Sequence, residues 1–290
     1  MSTKKFRKYS AISVLFVIFA IILVSAIGNR AQNNEQKTVR ITILHTNDIH
    51  AQVLPQERND LGGYARRLGV INQIRAEEPN VLLIDAGDFF QGTPFFNFFS
   101  GKIEIEAFNR MGYDVITLGN HEFDKGVDNL AERLRDAEFA VVNSNYVFEN
   151  EFLAKKIKRY FIKEMDGVRI GFLGLGINLQ GLVPQHKSEG VSVLDQITVA
   201  NEIADFLRYK KNCDLIIAVS HLGTNQLRSA TTDFDIARNT RNIDIIIGGH
   251  SHVILENETE TNLDGREVII AQAGRGGFNL GRVDLELQRR

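Results

Sequence analysis

The sequence contains very little cysteine and proline and no tryptophan. Cys213 is the single cysteine in 290 residues, so the chain forms no disulfide bond with itself. Cys213 stands just before the apolar run 215–219 and is expected to be a buried small hydrophobe. The four prolines and the lack of low-complexity tracts give no sign of an internal linker. Because the single cysteine is expected to be buried, any metal held by this chain must be bound by oxygen and nitrogen atoms.

The chain also lacks an excess of positive charge. Lys and Arg number 34 against 36 Asp and Glu, and the first 26 residues contain four of the bases and no acid. The rest of the chain contains 30 bases and 36 acids, which gives it a formal net charge of −6. A protein that coats nucleic acid needs a basic face, so we expect no nucleic-acid partner. The acidic charge is compatible with a small anionic substrate, because bound metal would supply local positive charge.

Residues 1–26 are typical of a targeting segment. Four bases precede the apolar run 11–24 (AISVLFVIFAIILV), and Val24 and Ala26 fit the small-residue pattern of a signal-peptidase site. A signal peptide is therefore predicted. An uncleaved anchor is the alternative, because residues 10–27 are borderline against the ~20 that span a bilayer. Both interpretations place the body outside the cytoplasm, in the periplasm or the extracellular space, and the second attaches it to a membrane.

The body of the chain shows the pattern of an α/β fold. Residues 27–38 are polar and aperiodic and are predicted to be a flexible lead-in. From Val39 onward, short apolar runs alternate with amphipathic stretches, as in βα units around a sheet. The predicted strands are 40–44, 81–84, 115–118, 139–142, 168–173, 215–219, 243–247, 268–271 and 282–287, and the predicted helices are 64–77, 103–111, 127–137 and 198–211. Residues 39–290 are predicted to form one domain, in which a glycine-rich turn joins the last two strands.

Five short polar motifs lie where predicted strands end. They supply Asp48 and His50 (ITILHTNDIH), Asp88 (VLLIDAGD), Asn120, His121 and Asp124 (VITLGNHEFD), His221 (LIIAVSH), and His250 and His252 (IIIGGHSH). In α/β sheets the loops beyond the carboxyl ends of the strands cluster at one edge and form the ligand crevice. We therefore expect all five motifs to meet at one rim.

The side chains in these motifs are typical metal ligands. Asp, Asn and His suit Zn²⁺, Mn²⁺, Fe or Mg²⁺, and each Asp-x-His or His-x-His pair projects from one face of an extended segment. A carboxylate can bridge two cations through its two oxygens, which makes Asp88 the expected bridging ligand. Two metals ~3.5–4 Å apart can polarise a phosphoryl oxygen and activate a water. We therefore expect two divalent metal ions as cofactors.

A single Asp or His at a strand end is more often a structural or surface residue than a ligand. Five of the seven histidines, however, occupy motif positions, which scattered structural histidines would not do. His45 is expected to pack on the opposite face of its strand, and His186 is expected to lie on the surface. Glycines beside the motifs are expected to allow backbone and metal to approach closely: Gly87, Gly119, Gly248 and Gly249.

The five motifs in this order resemble the calcineurin-like metallophosphoesterase superfamily. HTNDIHAQ, LGNHEFDKG and GGHSH resemble more specifically the exported 5′-nucleotidase family, which includes UDP-sugar hydrolases and 2′,3′-cyclic-nucleotide phosphodiesterases. The resemblance covers residues 39–287. It implies a four-layer α/β/β/α sandwich of two mixed β-sheets and hydrolysis of phosphate esters, with nucleoside monophosphates or related nucleotides as substrates.

Two other functions are compatible with the same ligands. One is a phosphodiesterase that acts on cyclic nucleotides or nucleotide sugars. The other is a non-catalytic, metal-dependent binding or scaffold protein. The intact His121 and Asp124 argue against the scaffold, because a scaffold has no need of an acid beside the metals.

The resemblance also implies a role for each motif residue. One metal would be held by Asp48, His50, Asp88 and His252, and the other by Asp88, Asn120, His221 and His250. His121 would lie beside the phosphate, oriented by Asp124, and would stabilise the charge of the transition state. Asp124 could also be the N-cap of the helix that follows. Relatives often carry Gln at the position of His252; an imidazole still ligates there, although the metal preference would differ.

Family members usually carry a second, C-terminal domain that stacks the base between aromatic rings and binds the phosphate through arginines. This chain ends before such a domain, so we expect either a separate polypeptide that supplies it or hydrolysis with low selectivity.

A cluster of phenylalanines adjoins Asp88 and consists of Phe89, Phe90, Phe95, Phe96, Phe98 and Phe99. It is expected to pack under the sheet. The alternative is an exposed docking surface for the second domain or a membrane.

Overall fold

The computed structural model describes residues 38–224 and 231–288. The predicted leader 1–26 and all of the lead-in except Thr38 lie outside the described residues. Within these two ranges, no helix has the length and apolar character needed to cross a bilayer. Contacts within the chain define one compact unit at Val39–Leu287, and that unit carries all five polar motifs.

Short strands and helices alternate along this unit. The strands are β1 (Thr38–Thr46), β2 (Val81–Asp85), β3 (Val115–Ile116), β4 (Ala140–Val141), β5 (Tyr146–Phe148), β6 (Tyr160–Met165), β7 (Val168–Gly176), β8 (Val191–Val193), β9 (Leu215–His221), β10 (Ile245–Ile247), β11 (Ile254–Thr261), β12 (Glu267–Ala273) and β13 (Gly281–Gln288). The α-helices are α1 (Tyr64–Glu77), α2 (Pro94–Phe99), α3 (Lys102–Met111), α4 (Val127–Arg133), α5 (Glu151–Lys156), α6 (Gln196–Asp205) and α7 (Asp233–Asn239). Single 3₁₀ turns occur at His121–Phe123, Leu134–Asp136 and Gln185–Lys187, and a π-helical turn at Phe206–Lys210.

The strands form two large sheets and one small sheet. The first large sheet has the order β13-β1-β2-β3-β4, and the second has the order β11-β12-β10-β9-β7-β6. Strands β1 to β4 are parallel to one another, as are β7, β9, β10 and β12, whereas β6 and β11 run antiparallel to their neighbours. Strands β5 and β8 form a separate antiparallel pair. The carboxyl ends of the parallel strands therefore carry the loops that hold the polar motifs.

Alternate residues of each strand enter different cores because side chains in a strand point to opposite faces. Ile43 of β1 and Ile217 of β9 belong to one core cluster that contains residues of both large sheets. Leu44 packs on the other face of the first sheet with helices α1 and α3, and Ile216 packs on the other face of the second sheet with α6 and α7. Two sheets thus face each other with helices outside them, and the predicted α/β/β/α sandwich is confirmed.

Short polar side chains begin three of the helices. Asn150 accepts hydrogen bonds from the backbone N–H groups of Phe152 and Leu153 at the start of α5, and Asp195 accepts one from Thr198 at the start of α6. Thr232 and Asp235 form a reciprocal capping box at α7. These caps satisfy N–H groups that have no partner within the helix.

All nine predicted strands and all four predicted helices are present; helix 64–77 has the predicted ends, and the other elements differ at one end or both. The predicted helix 127–137 divides into α4 and a 3₁₀ turn, and the predicted helix 198–211 begins at Gln196 and ends in the π-helical turn. Strands β5, β6, β8 and β11 and helices α2, α5 and α7 were not predicted. The two closing strands lie in different sheets, β12 in the second and β13 in the first, so the glycine-rich turn between them connects the sheets.

Candidate metal centre

The candidate ligands follow parallel strands of both large sheets. Asp48 and His50 come after β1, Asp88 after β2, and Asn120 after β3, all in the first sheet. His221 is the last residue of β9 in the second sheet. His250 and His252, also in the second sheet, come after β10. The carboxyl ends of the two sheets therefore face one shared site.

The first group of ligands consists of Asp48, His50 and His252, whose ligand atoms lie within 4.8 Å of one another. His252 Nε2 is 3.2 Å from Asp48 Oδ1, and His50 Nε2 is 3.0 Å from His252 Nε2. Two imidazole nitrogens and a carboxylate oxygen at such distances can share one cation.

The second group consists of Asp88, His221 and His250, and its ligand atoms are also within 4.8 Å of one another. His221 Nε2 lies 3.0 Å from Asp88 Oδ2, and His250 Nδ1 lies 3.1 Å from Asn120 Oδ1. Asp88 also comes within the same limit of His50. Its carboxylate therefore lies where the two groups meet.

Three buried atoms of the candidate ligands have no hydrogen-bond partner within the described residues. They are Asp48 Oδ1, His50 Nδ1 and His221 Nε2. The other oxygen of Asp48 accepts hydrogen bonds from Asn47 Nδ2 (2.6 Å) and from the backbone N–H of His250 (2.9 Å). Burying an unpaired polar atom costs free energy, and a divalent cation would satisfy Asp48 Oδ1 and His221 Nε2. The residues present therefore fit the expected metal.

The backbone around His221 selects the tautomer that a metal requires. His221 Nδ1 lies 2.6 Å from the carbonyl oxygen of Ala86. Nδ1 therefore carries a proton and donates a hydrogen bond to that oxygen. The lone pair of Nε2 then points away from the carbonyl and is available to a cation.

The electrostatic field of the site favours a positive charge. Burial lowers the pKa of His221, but the negative charge of Asp88, whose Oδ2 lies 3.0 Å from Nε2, and the charge of Asp48 outweigh burial and raise that pKa to about 10. Burial lowers the pKa of His250 to about 4, and the neighbouring His221 adds to the effect. A bound cation would replace the proton on His221 and meet a neutral imidazole at His250.

The polypeptide backbone is in an unusual conformation at most of the candidate ligands. Positive φ angles, which non-glycine residues rarely adopt, occur at Asp48 (50°), His50 (50°), Asp88 (58°), His250 (71°) and His252 (57°). Each such residue costs on the order of 1–3 kcal/mol, and such strain clusters at functional sites. The sequence carries no signal of this feature.

Glycines permit the close packing around the ligands. A Cβ atom on Gly119 would lie 2.2 Å from Asp88 Oδ1 and 2.6 Å from His221 Nε2. One on Gly249 would lie 2.8 Å from His221 Nδ1. All three distances are shorter than the contacts of a Cβ atom allow, so a side chain at either position would displace one of these neighbours.

Glu122 is a buried residue of this site that sequence reasoning missed. Its carboxylate accepts hydrogen bonds from the backbone N–H groups of Asp88, Phe89 and Phe90 (2.9–3.1 Å) and of Gly119 (2.6 Å). Glu122 therefore ties the loop after β2 to the loop after β3. Its place in the GNHEF motif was the available signal, but the motif did not indicate which groups it would contact.

His121 lies beside the two ligand groups and is held in two ways. Its backbone N–H donates to Asp88 Oδ1 (2.8 Å), and its Nδ1 lies 2.9 Å from Asp124 Oδ2. Burial lowers the pKa of His121, but the hydrogen bond with Asp124 and the charge of Asp88 outweigh burial and raise the pKa to about 9. The expected contact between His121 and Asp124 is thus present. The N-cap of α4 is Gly126, not Asp124.

The residues predicted to lie outside the site also have definite positions. His45 is buried, and its burial lowers its pKa to about 4. His186 is exposed, and Cys213 is buried. The phenylalanine cluster is divided: Phe89, Phe90 and Phe96 are buried as expected and Phe95 is half-buried, but Phe98 is 82% exposed and Phe99 49% exposed.

Comparison with known proteins gives consistent matches over most of the chain. The family model for calcineurin-like phosphoesterases matches residues 41–254. The trifunctional nucleotide phosphoesterase protein YfkN of Bacillus subtilis (strain 168) is 31% identical over 279 residues, which are 84% of this chain and 18% of that protein. The 5′-nucleotidase of Homo sapiens is 32% identical over 286 residues, which are 86% of this chain and 47% of that protein.

Solved structures agree with these matches. The structure of the NAD nucleotidase NadN of Haemophilus influenzae superposes with a TM-score of 0.77 and 26% identity, and the match covers 86% of this chain and 53% of that one. The chain therefore spans about half or less of the length of each of these relatives.

Proposed function

The chain belongs to the calcineurin-like phosphoesterase family, and on that premise we propose that it releases phosphate from nucleoside monophosphates or related nucleotides. The predicted family is confirmed, and so is the prediction of a metal-dependent phosphoester hydrolase with two divalent ions. The nucleotide class is supported by relatives named 5′-nucleotidase and nucleotide phosphoesterase. The observation that carries the proposal is that two groups of ligands meet at Asp88.

The proposal assigns four ligands to each ion. One ion would be held by Asp48, His50, Asp88 and His252, and the other by Asp88, Asn120, His221 and His250. When bound, two such ions polarise the phosphoryl group and lower the pKa of the attacking water. The protein contributes the fixed positions of these groups, which the strained backbone and Glu122 maintain.

His121 is the proposed proton donor and charge stabiliser. Asp124 holds Nδ1, so Nε2 is the atom available to the substrate. As water forms a bond to phosphorus and the ester P–O bond breaks, the imidazolium offsets the growing negative charge and Nε2 gives its proton to the departing oxygen.

The cleft that begins after Asp124 in the sequence offers little that would select a nucleobase. A cleft of about 570 Å³ begins at Lys125 and Gly126, directly after Asp124, and extends to Glu189 and Gly190. No Phe or Tyr lines it among the described residues, although stacking on aromatic rings is a common way to bind a base. We therefore propose that these 290 residues act on phosphate esters with low selectivity, and that a substrate-binding domain on a separate polypeptide adds nucleotide preference.

We further propose that the protein is exported. The support is the four bases and the apolar run of residues 1–26. Sequencing the N-terminus of the protein from its native cell would test this: a periplasmic or extracellular protein that begins near residue 27 supports a cleaved signal peptide, and a cytoplasmic protein that begins at Met1 contradicts export.

A substrate panel on the metal-loaded protein tests the proposed activity. We expect phosphate release from AMP and from p-nitrophenyl phosphate, and slower hydrolysis of 2′,3′-cyclic AMP and UDP-glucose. Adding candidate partner proteins should lower the KM for AMP but not for the aryl phosphate. Loaded protein that hydrolyses none of these compounds would contradict the proposal and favour a metal-dependent binding protein.

His121→Ala separates catalysis from metal binding. We expect kcat to fall by about 10²–10⁴, because the proton donor is lost, while the metal content stays at two ions per chain. His186→Ala is the matched control, since His186 is exposed and lies outside the ligand groups. An unchanged kcat in His121→Ala would rule out the proposed role.

A further inference from the structure

The glycine-rich loop after β12 is fastened to the first metal-binding motif. The side chain of Asn47 accepts a hydrogen bond from the backbone N–H of Ala273 (2.7 Å) and donates one to the carbonyl oxygen of Gly274 (2.6 Å). The N–H of Gly276 donates to the carbonyl oxygen of Asp48 (2.7 Å). The residue between those glycines, Arg275, is therefore fixed next to the segment that carries Asp48.

The conformation of this loop leaves Arg275 as its outward side chain. Gly274, Gly276 and Gly277 have φ angles of 79°, 65° and 59° and are buried. A Cβ atom on Gly277 would overlap the guanidinium of the buried Arg67. Arg275 itself is exposed. The buried glycines on both sides thus pack against the protein while Arg275 faces the solvent.

Arg275 is also a cation without a partner. Among the described residues, its side chain has no hydrogen bond and no ion pair with any carboxylate. Several exposed arginines are paired with acids, namely Arg40, Arg66, Arg159, Arg238, Arg241 and Arg282, whereas Arg275 shares the lack of an acid partner within the described ranges with Arg58 and Arg135. Near the metal centre, Lys125 is already bound to Phe96, Asn97 and Ser100. Arg275 is therefore free to meet an anion that enters the site.

We propose that the guanidinium of Arg275 binds oxygen atoms of the phosphoryl group that the metal ions hold. The planar fork of arginine matches phosphate oxygens and always carries its charge. This role rests on the proposed function, because a phosphate ester must be the substrate. It gives the chain a phosphate contact of its own that is independent of any partner domain.

Calorimetric titration of the metal-loaded protein with inorganic phosphate tests this contact directly. We expect Arg275→Ala to weaken phosphate binding by about tenfold or more, the size of a charge-assisted hydrogen bond. The phosphate affinity of Arg275→Lys should lie between those of the wild type and Arg275→Ala. Metal content, measured by mass spectrometry, should stay the same. Arg241→Ala is the matched control, since Arg241 is exposed, pairs with Asp264 and lies before the amino end of β10; its phosphate affinity should equal that of the wild type.

Steady-state kinetics gives a second test. We expect Arg275→Ala to raise the KM for p-nitrophenyl phosphate and for AMP by similar factors. Unchanged phosphate affinity would overturn the proposal, and so would a loss confined to substrates with a second phosphate. A wild-type protein that binds phosphate but hydrolyses no ester would refute the proposed function. The phosphate affinity of the Arg275 variants would still show whether Arg275 contacts the phosphate.

Discussion

Glu122 is central to the site, although it is not a proposed ligand. Four backbone N–H groups donate to its carboxylate, and they come from the loop that bears Asp88 and from Gly119 beside Asn120. In Glu122→Gln, an amide NH₂ group replaces one oxygen. This group cannot accept hydrogen bonds from the backbone N–H groups that it would face. We expect metal affinity to fall by about 10–100-fold, as measured by equilibrium dialysis with Mn²⁺.

The control for this variant is Glu106→Gln on α3. Glu106 is exposed and pairs only with Arg110, so its loss should leave metal affinity within about twofold, as for other surface substitutions. If Glu122→Gln binds both ions as tightly as the wild type, Glu122 does not position the ligands.

Glu104 predicts a dependence of stability on pH. Burial raises the pKa of Glu104 from 4.5 to about 7, and neither of its oxygens has a hydrogen-bond partner among the residues that the structure describes. The folded protein thus holds a proton there that the unfolded chain releases above pH 4.5. This group therefore lowers the unfolding free energy as pH rises from 4.5 to about 7. Glu104→Gln should remove that loss and stabilise the protein by up to about 3 kcal/mol at pH 8.

Urea unfolding at pH 5 and pH 8 measures this difference. The gain in unfolding free energy of Glu104→Gln over the wild type should be much smaller at pH 5 than at pH 8. Glu106→Gln should show no such difference. A variant that is less stable than the wild type at pH 8 would contradict the explanation by burial.

The candidate ligands could be predicted from the sequence because each is a rare side chain at a strand end. Their left-handed backbone could not be predicted, since neighbouring loops impose it. The same holds for Glu122 and Arg275, whose importance depends on contacts with residues that are distant in sequence.

At the scale of elements, the turn after β3 sets how closely the two sheets can approach at the site. Gly119→Ala would place a methyl group 2.2 Å from Asp88 Oδ1 and 2.6 Å from His221 Nε2. One of these side chains must then move. We expect kcat/KM to fall by about 100-fold or more, as displacements of about 1 Å at a site do, together with a loss of bound metal.

Gly69→Ala is the same substitution in a different element. Gly69 lies within α1, and its Cβ atom would meet nothing within 4 Å. Because alanine favours the helix, we expect a gain of about 0.5–1 kcal/mol in unfolding free energy and unchanged activity. Thermal unfolding and initial rates measure both variants. Wild-type activity in Gly119→Ala would show that the turn tolerates a side chain.

The elements that were predicted and those that were missed differ in their patterns. Strands such as β9 are buried on both faces and give continuous apolar runs. Strand β11 (ILENETET) is largely exposed and rich in acids, so its sequence resembles a loop. Helix α5 has six residues, too few for a helical period to show. Which sheet each closing strand joins depends on tertiary packing, which periodicity does not report.

At the scale of the whole molecule, the proposed ions would join the two large sheets. Asp48, Asp88 and Asn120 follow strands of the first sheet, whereas His221 and His250 belong to the second. An ion bound by His221 and Asp88 is thus a cross-link between sheets whose facing sides pack through apolar side chains. The ligand set exists only in the folded protein, so metal binding is linked to folding.

Removing the metal should therefore lower the stability of the entire unit. A ligand at 100 times its dissociation constant stabilises the folded state by about 2.7 kcal/mol, which for a chain of this size corresponds to about 5–10 °C in Tm. We expect the Tm measured by calorimetry to fall by at least this amount when EDTA replaces Mn²⁺, and to keep rising with Mn²⁺ beyond saturation. In Asp88→Asn, which lacks the shared carboxylate, the response should be much smaller. Equal Tm values for the wild type in EDTA and in excess Mn²⁺ would mean that the two sheets are not joined through these ions.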